Sequence, residues 1–183
     1  NTRTQPACPT NASGVATGTL SSTAAGAKTV SATINGSAIT QTASVTVQAA
    51  AASQLAFTGQ PSNAAAGATI TPAVQVTARD GFGNTATGFT GNVTLAIGSN
   101  PPGTGVLDGT ATVAAVAGVA TFSTLDIDEA GTGYTLVATA GALPQATSAA
   151  FDITTGSVST SLSTVAAAPT TITASSGGSQ STI

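Results

Sequence analysis

Six carboxylates (Asp80, Asp108, Asp126, Asp128, Glu129 and Asp152) are the only acids in the 183 residues, and histidine is absent. Without an imidazole there is no Ser-His-Asp or Cys-His arrangement and no His-ligated metal. Acid–base or metal chemistry would therefore fall to the carboxylates. Asp126, Asp128 and Glu129 crowd one predicted turn, whereas Asp80 and Asp108 stand in separate loops. A glycosidase needs two carboxyls about 5–9 Å apart across a substrate cleft, and one exposed turn supplies no cleft. Calcium suits oxygen donors on a loop better, which makes Asp126, Asp128 and Glu129 the metal candidates. Their Asp-x-Asp-Glu spacing lacks the Asp/Asn series and glycine of an EF-hand loop, and the alternative is a simple solvated turn. No other cofactor is implied, and the expectation is a protein that is not an enzyme.

The remaining reactive residues narrow the field further. Three cations (Arg3, Lys28 and Arg79) against six acids give a net charge of −3, too little positive charge to follow a phosphate backbone, so nucleic acid is not an expected partner. A single Cys8 cannot close an intramolecular disulfide. No apolar run reaches the roughly 18–20 residues of a membrane-spanning helix, and no basic start followed by an apolar stretch marks a signal peptide.

Aromatic residues are 3% of the chain: one Tyr, five Phe and no Trp. Phe57, Phe122 and Phe151 fall inside predicted strands, where core packing accounts for them. Phe82 and Phe89 lie in or near a loop and are the candidate platforms for stacking on a sugar ring. Tyr134 opens the penultimate predicted strand, directly after Asp126-Ile127-Asp128-Glu129-Ala130-Gly131-Thr132-Gly133. In immunoglobulin-type sandwiches that place holds a tyrosine corner, whose hydroxyl bonds back to the upstream backbone.

These residues need elements to position them, and the composition specifies which. Abundant Thr, Val and Ile suit a pleated, half-buried surface, and 21 Gly and 8 Pro punctuate short runs. Period-two alternation predicts strands over 54–57, 73–78, 92–97, 110–116, 119–122, 135–140 and 147–153, with Ala117-Gly118 as a hairpin turn. Seven short strands with turns between them predict an all-β, immunoglobulin-like sandwich.

The sequence also repeats itself. Gly14-Val15-Ala16-Thr17 returns as Gly118-Val119-Ala120-Thr121, Ala25-Gly26 as Ala130-Gly131, and Thr29 to Thr33 is answered by Thr135 to Thr139. The offset is about 105 residues, about the size of one small sandwich. The expected organisation is tandem: 1–48 as the closing part of one unit, 49–154 as a complete unit, and 155–183 as the opening part of another. Gln48 to Ser53 and Thr154 to Ser157 are the expected linkers.

Leu55-Ala56-Phe57-Thr58-Gly59-Gln60-Pro61-Ser62, Val74 to Asn84 and Gly118 to Phe122 together resemble bacterial immunoglobulin-like repeats, the group found in invasin- and intimin-type surface adhesins. Val165 to Ala174 resembles the first two strands of that group, and residues 14–47 resemble its closing strands. The resemblance implies a structural repeat, a stalk or fibre segment of a secreted or surface-anchored adhesin. The partners it implies are neighbouring repeats of the same chain or identical chains, joined head to tail, and the implied location is extracellular or at the cell surface. The alternative is an accessory module that binds carbohydrate or a host receptor.

Overall fold

The computed structural model describes residues 2–4, 10–34 and 36–156. Every regular element in them is a strand. Before the linker come β1 (Thr2–Thr4), β2 (Thr19–Ser21), β3 (Gly26–Ile34) and β4 (Ser37–Val47). After it come β5 (Gln54–Gly59), β6 (Ala64–Ala65), β7 (Val74–Arg79), β8 (Asn92–Ile97), β9 (Leu107–Asp108), β10 (Thr112–Ala114), β11 (Val119–Phe122) and β12 (Asp126–Ile127). The chain then closes with β13 (Gly131–Tyr134), β14 (Leu136–Ala140), β15 (Leu143–Thr147) and β16 (Phe151–Thr154).

Two layers face each other. One is the sheet β11-β7-β5; opposite it lies β10-β8-β14-β15, which the hairpin of the last four strands carries on into β13-β16-β6. All pairings are antiparallel except β16 with β6, where the short β6, next after β5, turns to lie beside the last strand. Period-two side chains fill the space between the layers. Val74, Val76 and Ala78 enter from β7, Val93 and Leu95 from β8, Ala120 and Phe122 from β11, Leu136 and Ala138 from β14, and Phe151 and Ile153 from β16. Alternation works because successive side chains of a strand point to opposite faces. The protein is an all-β, immunoglobulin-like sandwich, as the sequence pattern predicts.

The last hairpin shows how one pair of strands serves two sheets. The ladder between 131–140 and 143–154 is interrupted at Thr135 and at Ser148 to Ala150. Ser148 bridges the gap: its N–H donates to Leu136 O at 2.8 Å, and its hydroxyl oxygen accepts the Leu136 N–H at 2.9 Å. Ser148 is itself buried, so the side chain satisfies a backbone donor that the bend would otherwise leave unpaired.

One expected feature is corrected. Ala117 and Gly118 do form a two-residue turn with positive φ at both positions, 48° and 84°, closed by hydrogen bonds in both directions between Val116 and Val119. That is the type I′ geometry. The flanking runs do not continue as a hairpin: β10 pairs with β8 and β11 with β7. The turn is a crossing point between the two layers.

Residues ahead of the sandwich form the hairpin β3–β4, paired from Gly26↔Val47 to Ile34↔Ser37, and the small pair β1–β2. The hairpin keeps apolar side chains in the open, among them Ile34 and Val45. The expected opening strands of 155–183, apart from residues 155 and 156, lie outside the described residues, as does Cys8.

Candidate functional site: a carboxylate–carboxamide junction

The densest polar network centres on Asp80, in the turn after β7. Asp80 is fully buried. Its Oδ1 accepts the backbone N–H groups of Phe82 and Asn84, both at 2.9 Å. Its Oδ2 accepts the Ala50 N–H at 3.0 Å and the Asn84 side-chain amide at 2.8 Å. A carboxylate bonding N–H groups two and four residues ahead winds the Asp80-Gly81-Phe82-Gly83-Asn84 turn on itself. Gly83 supplies the positive φ, 85°, that the winding needs. The Asn84 amide, helped by the Ala50, Asn84 and Phe82 N–H groups and opposed by burial, holds the Asp80 carboxyl down at about 2.

Asn84 extends the network outward. Its Nδ2 also donates to Thr23 O at 2.8 Å, and its Oδ1 accepts the Ala25 N–H at 2.9 Å. One turn therefore bonds three parts of the chain: the sandwich, the linker at Ala50, and the loop that leads into β3. Ser53 N–H, donating to Arg79 O at 2.8 Å, closes the linker onto the same edge. Beneath the linker runs a groove of about 460 Å³, lined among others by Ala49, Ala86, Phe89 and Leu143.

The sequence-predicted site residues distribute as follows. Phe82 sits at the tip of the Asp80 turn and is 66% exposed. Phe89 is half-buried and packs against the core, so of the two expected platforms only Phe82 presents an open ring. Asp128 Oδ1 accepts the Val106 N–H at 2.7 Å, and Glu129 accepts the Thr104 hydroxyl. Asp126 faces Asp108 across β9–β12, with its Oδ1 buried and unpartnered. Among the described residues, no group of three or more His, Cys, Asp or Glu side chains is gathered so as to hold a metal ion. The carboxylates at 128 and 129 instead brace the segment 104–106. Tyr134 is buried, packs beside Phe151 with ring centroids 6.1 Å apart, and donates its hydroxyl to Glu129 O at 2.9 Å. Burial, with the nearby charges of Glu129 and Asp128 adding to it, pushes the Tyr134 phenol up.

Asp80 and Asn84 were legible as a turn and not as a junction. The signal is local, an Asp followed four residues later by Asn around two glycines. The partners that give it meaning lie 30 to 61 positions away.

Fold and site together define a β-sandwich module with a built-in connector to its preceding segment. No family model matches the chain, and no curated protein does. Among solved structures it is similar to a glycosyl hydrolase family 2 member from Bacteroides cellulosilyticus, at 13% identity and a TM-score of 0.46 over 70% of this chain and 17% of that one. It is similar to a beta-glycosidase from Bacteroides vulgatus, at 16% identity and a TM-score of 0.45 over 76% and 19%. A third is Parabacteroides merdae beta-glucuronidase, at 19% identity and a TM-score of 0.39 over 63% and 14%. The chain thus spans less than a fifth of each of these enzymes. They are glycosidases, not adhesins of the expected group, and the fold assignment stands on the strand order and core described above.

Proposed function

We propose that the chain is a non-catalytic spacer: tandem immunoglobulin-like units, held end to end, within a longer secreted or surface-anchored protein. The observation that carries this reading is the Asp80–Asn84 junction, which bonds the sandwich to its linker and to the segment before it. A freely swinging tether has no use for a buried carboxylate that accepts the linker's own N–H. The sequence repeat at about 105 residues supplies the tandem order. An adhesin-type parent resembling the invasin and intimin group, an extracellular location and head-to-tail neighbours belong to the same proposal.

The test is rotational diffusion of the full chain by NMR relaxation. Residues 26–47 and 54–154 are expected to share one correlation time, and Asn84→Ala to give the hairpin a shorter one. Independent tumbling of the two parts in the unmodified chain overturns the spacer reading.

A second reading, an accessory module that binds carbohydrate, is favoured by one observation, the open ring of Phe82 at the tip of the junction turn. Aromatic faces of that kind suit stacking on a sugar. Titration of the full chain and of Phe82→Ala against a panel of soluble glycans separates the readings: binding that disappears with the ring supports the accessory module.

A further inference from the structure

The junction at one end of the sandwich has a counterpart at the other end. At the first, Asn84 clasps the Thr23–Ala25 turn through two backbone groups, the Thr23 carbonyl and the Ala25 N–H. That turn leads straight into β3 at Gly26. About 105 residues on, the repeat places Asp128-Glu129-Ala130 in the same position, leading straight into β13 at Gly131.

Two observations make the second turn equivalent to the first. Each is braced from the strand that follows it: Lys28 Nζ donates to Ala25 O at 3.4 Å, and Tyr134, which answers Lys28 at an offset one residue longer, donates to Glu129 O at 2.9 Å, one position earlier in its turn. The two backbone groups that Asn84 uses at the first turn have counterparts at the second, the Asp128 carbonyl and the Ala130 N–H, and no hydrogen bond among the described residues occupies either. Both acidic side chains turn to the 104–106 segment. A carbonyl and an N–H two residues apart match the donor and acceptor of one carboxamide.

We infer that the Asp128–Ala130 turn is the docking edge for the Asp80–Asn84 loop of a following copy of this sandwich. The incoming Asn84 amide donates to Asp128 O and its carbonyl oxygen accepts the Ala130 N–H. The inference rests on the tandem-spacer reading and adds to it the surface by which one unit fixes the next. The partner is specified by its chemistry: a side-chain carboxamide presented on a turn already wound by a buried carboxylate.

The test is amide hydrogen exchange, read by NMR in the full chain and in a full chain carrying a tandem duplication of residues 49–154. In the unmodified chain the Ala25 N–H is expected to be protected, Asn84→Ala to accelerate its exchange about tenfold or more, and the Ala130 N–H to exchange freely. In the duplicated chain the first copy's Ala130 should slow by about the same factor. Its protection should disappear when the second copy carries Asn84→Ala. The Asp128 carbonyl carbon shift, which needs no variant, should move on duplication. If Ala25 is protected while Ala130 and the Asp128 shift are unchanged on duplication, the docking edge is wrong and the spacer reading survives. If Ala25 is unprotected in the unmodified chain, both fall.

Discussion

The Asn84 side-chain amide donates to Asp80 Oδ2 at 2.8 Å while donating also to Thr23 O, so one side chain couples a buried carboxylate to a distant turn. Neither residue achieves this alone. Asp80 fixes where Asn84 points, and Asn84 keeps Asp80 ionised in a place where burial would favour its neutral form. The coupling makes the acid behaviour of the protein a report on the junction.

The first prediction follows from the sign of that coupling. Asp80 titrates at about 2 when folded, against roughly 3.9 for an unperturbed Asp in the unfolded chain. Its contribution to stability is therefore present above about pH 4 and is lost as the pH falls through about 2. Thermal unfolding followed from pH 5 to pH 2 is expected to show a falling Tm in the lower part of that range. In Asp80→Asn the fall should be smaller, because the acid that drives it is gone. An unchanged acid slope in that variant would show that other groups carry the effect.

Tyr134 gives the opposite branch of the pH profile. Its phenol is raised by burial and by Glu129 and Asp128, so the folded state holds the proton more tightly than the unfolded chain. Its contribution to stability is complete below about pH 10, the ordinary phenol value, and declines as the pH rises beyond it. Tyr134 is the sole Tyr and there is no Trp, so near-ultraviolet absorbance follows this one group and should show ionisation displaced upward until the protein unfolds. Tyr134→Phe removes the bond to Glu129 O and keeps the ring against Phe151; a loss of about 1 kcal/mol is expected by denaturant unfolding.

How far the sequence revealed this arrangement depended on the range over which each signal acts. Strands 92–97 and 119–122 fall where period-two alternation puts them, because half-buried strands write their exposure directly into residue type. Gly131–Tyr134 and Leu143–Thr147 were not legible as strands. The first contains two glycines and the second a proline, and tertiary pairing overrode local preference. The run Ala117-Gly118 identified a turn but not the sheets its arms would join, since both arms alternate in the same way. Tyr134 and Phe82 were visible as single residues with a stated role. The Asp80 junction was not, because its meaning lies in Ala50, Thr23 and Ala25, which carry no distinctive side-chain chemistry.

The crossing turn supplies a prediction of backbone strain. Gly118 has φ of 84°, and a Cβ built there would lie 2.6 Å from Ala86 O. Gly118→Val therefore combines a left-handed conformation that a β-branched residue resists with a clash against backbone that cannot rotate away. A loss of about 2 kcal/mol or more is expected by denaturant unfolding. Ala117→Gly, at the neighbouring position with φ of 48°, should be tolerated far better, because glycine accepts that φ at no steric cost. Equal losses for the two substitutions would overturn the turn geometry.

Charge sparsity supplies the last prediction. Only 5% of residues are charged, and the carboxylate that matters most is bonded to uncharged N–H and amide donors, with no cation in its network. Ion pairs between exposed groups weaken as salt shortens the Debye length from about 30 Å at 0.01 M to about 3 Å at 1 M, whereas hydrogen bonds to a buried carboxylate are screened much less. The unfolding midpoint at neutral pH should therefore move little between low and high NaCl. Asp80→Asn should lower the midpoint by nearly the same amount at both salt concentrations. A destabilisation that shrank strongly in high salt would mean that Asp80 acts through long-range charge and not through the four hydrogen bonds its carboxylate accepts.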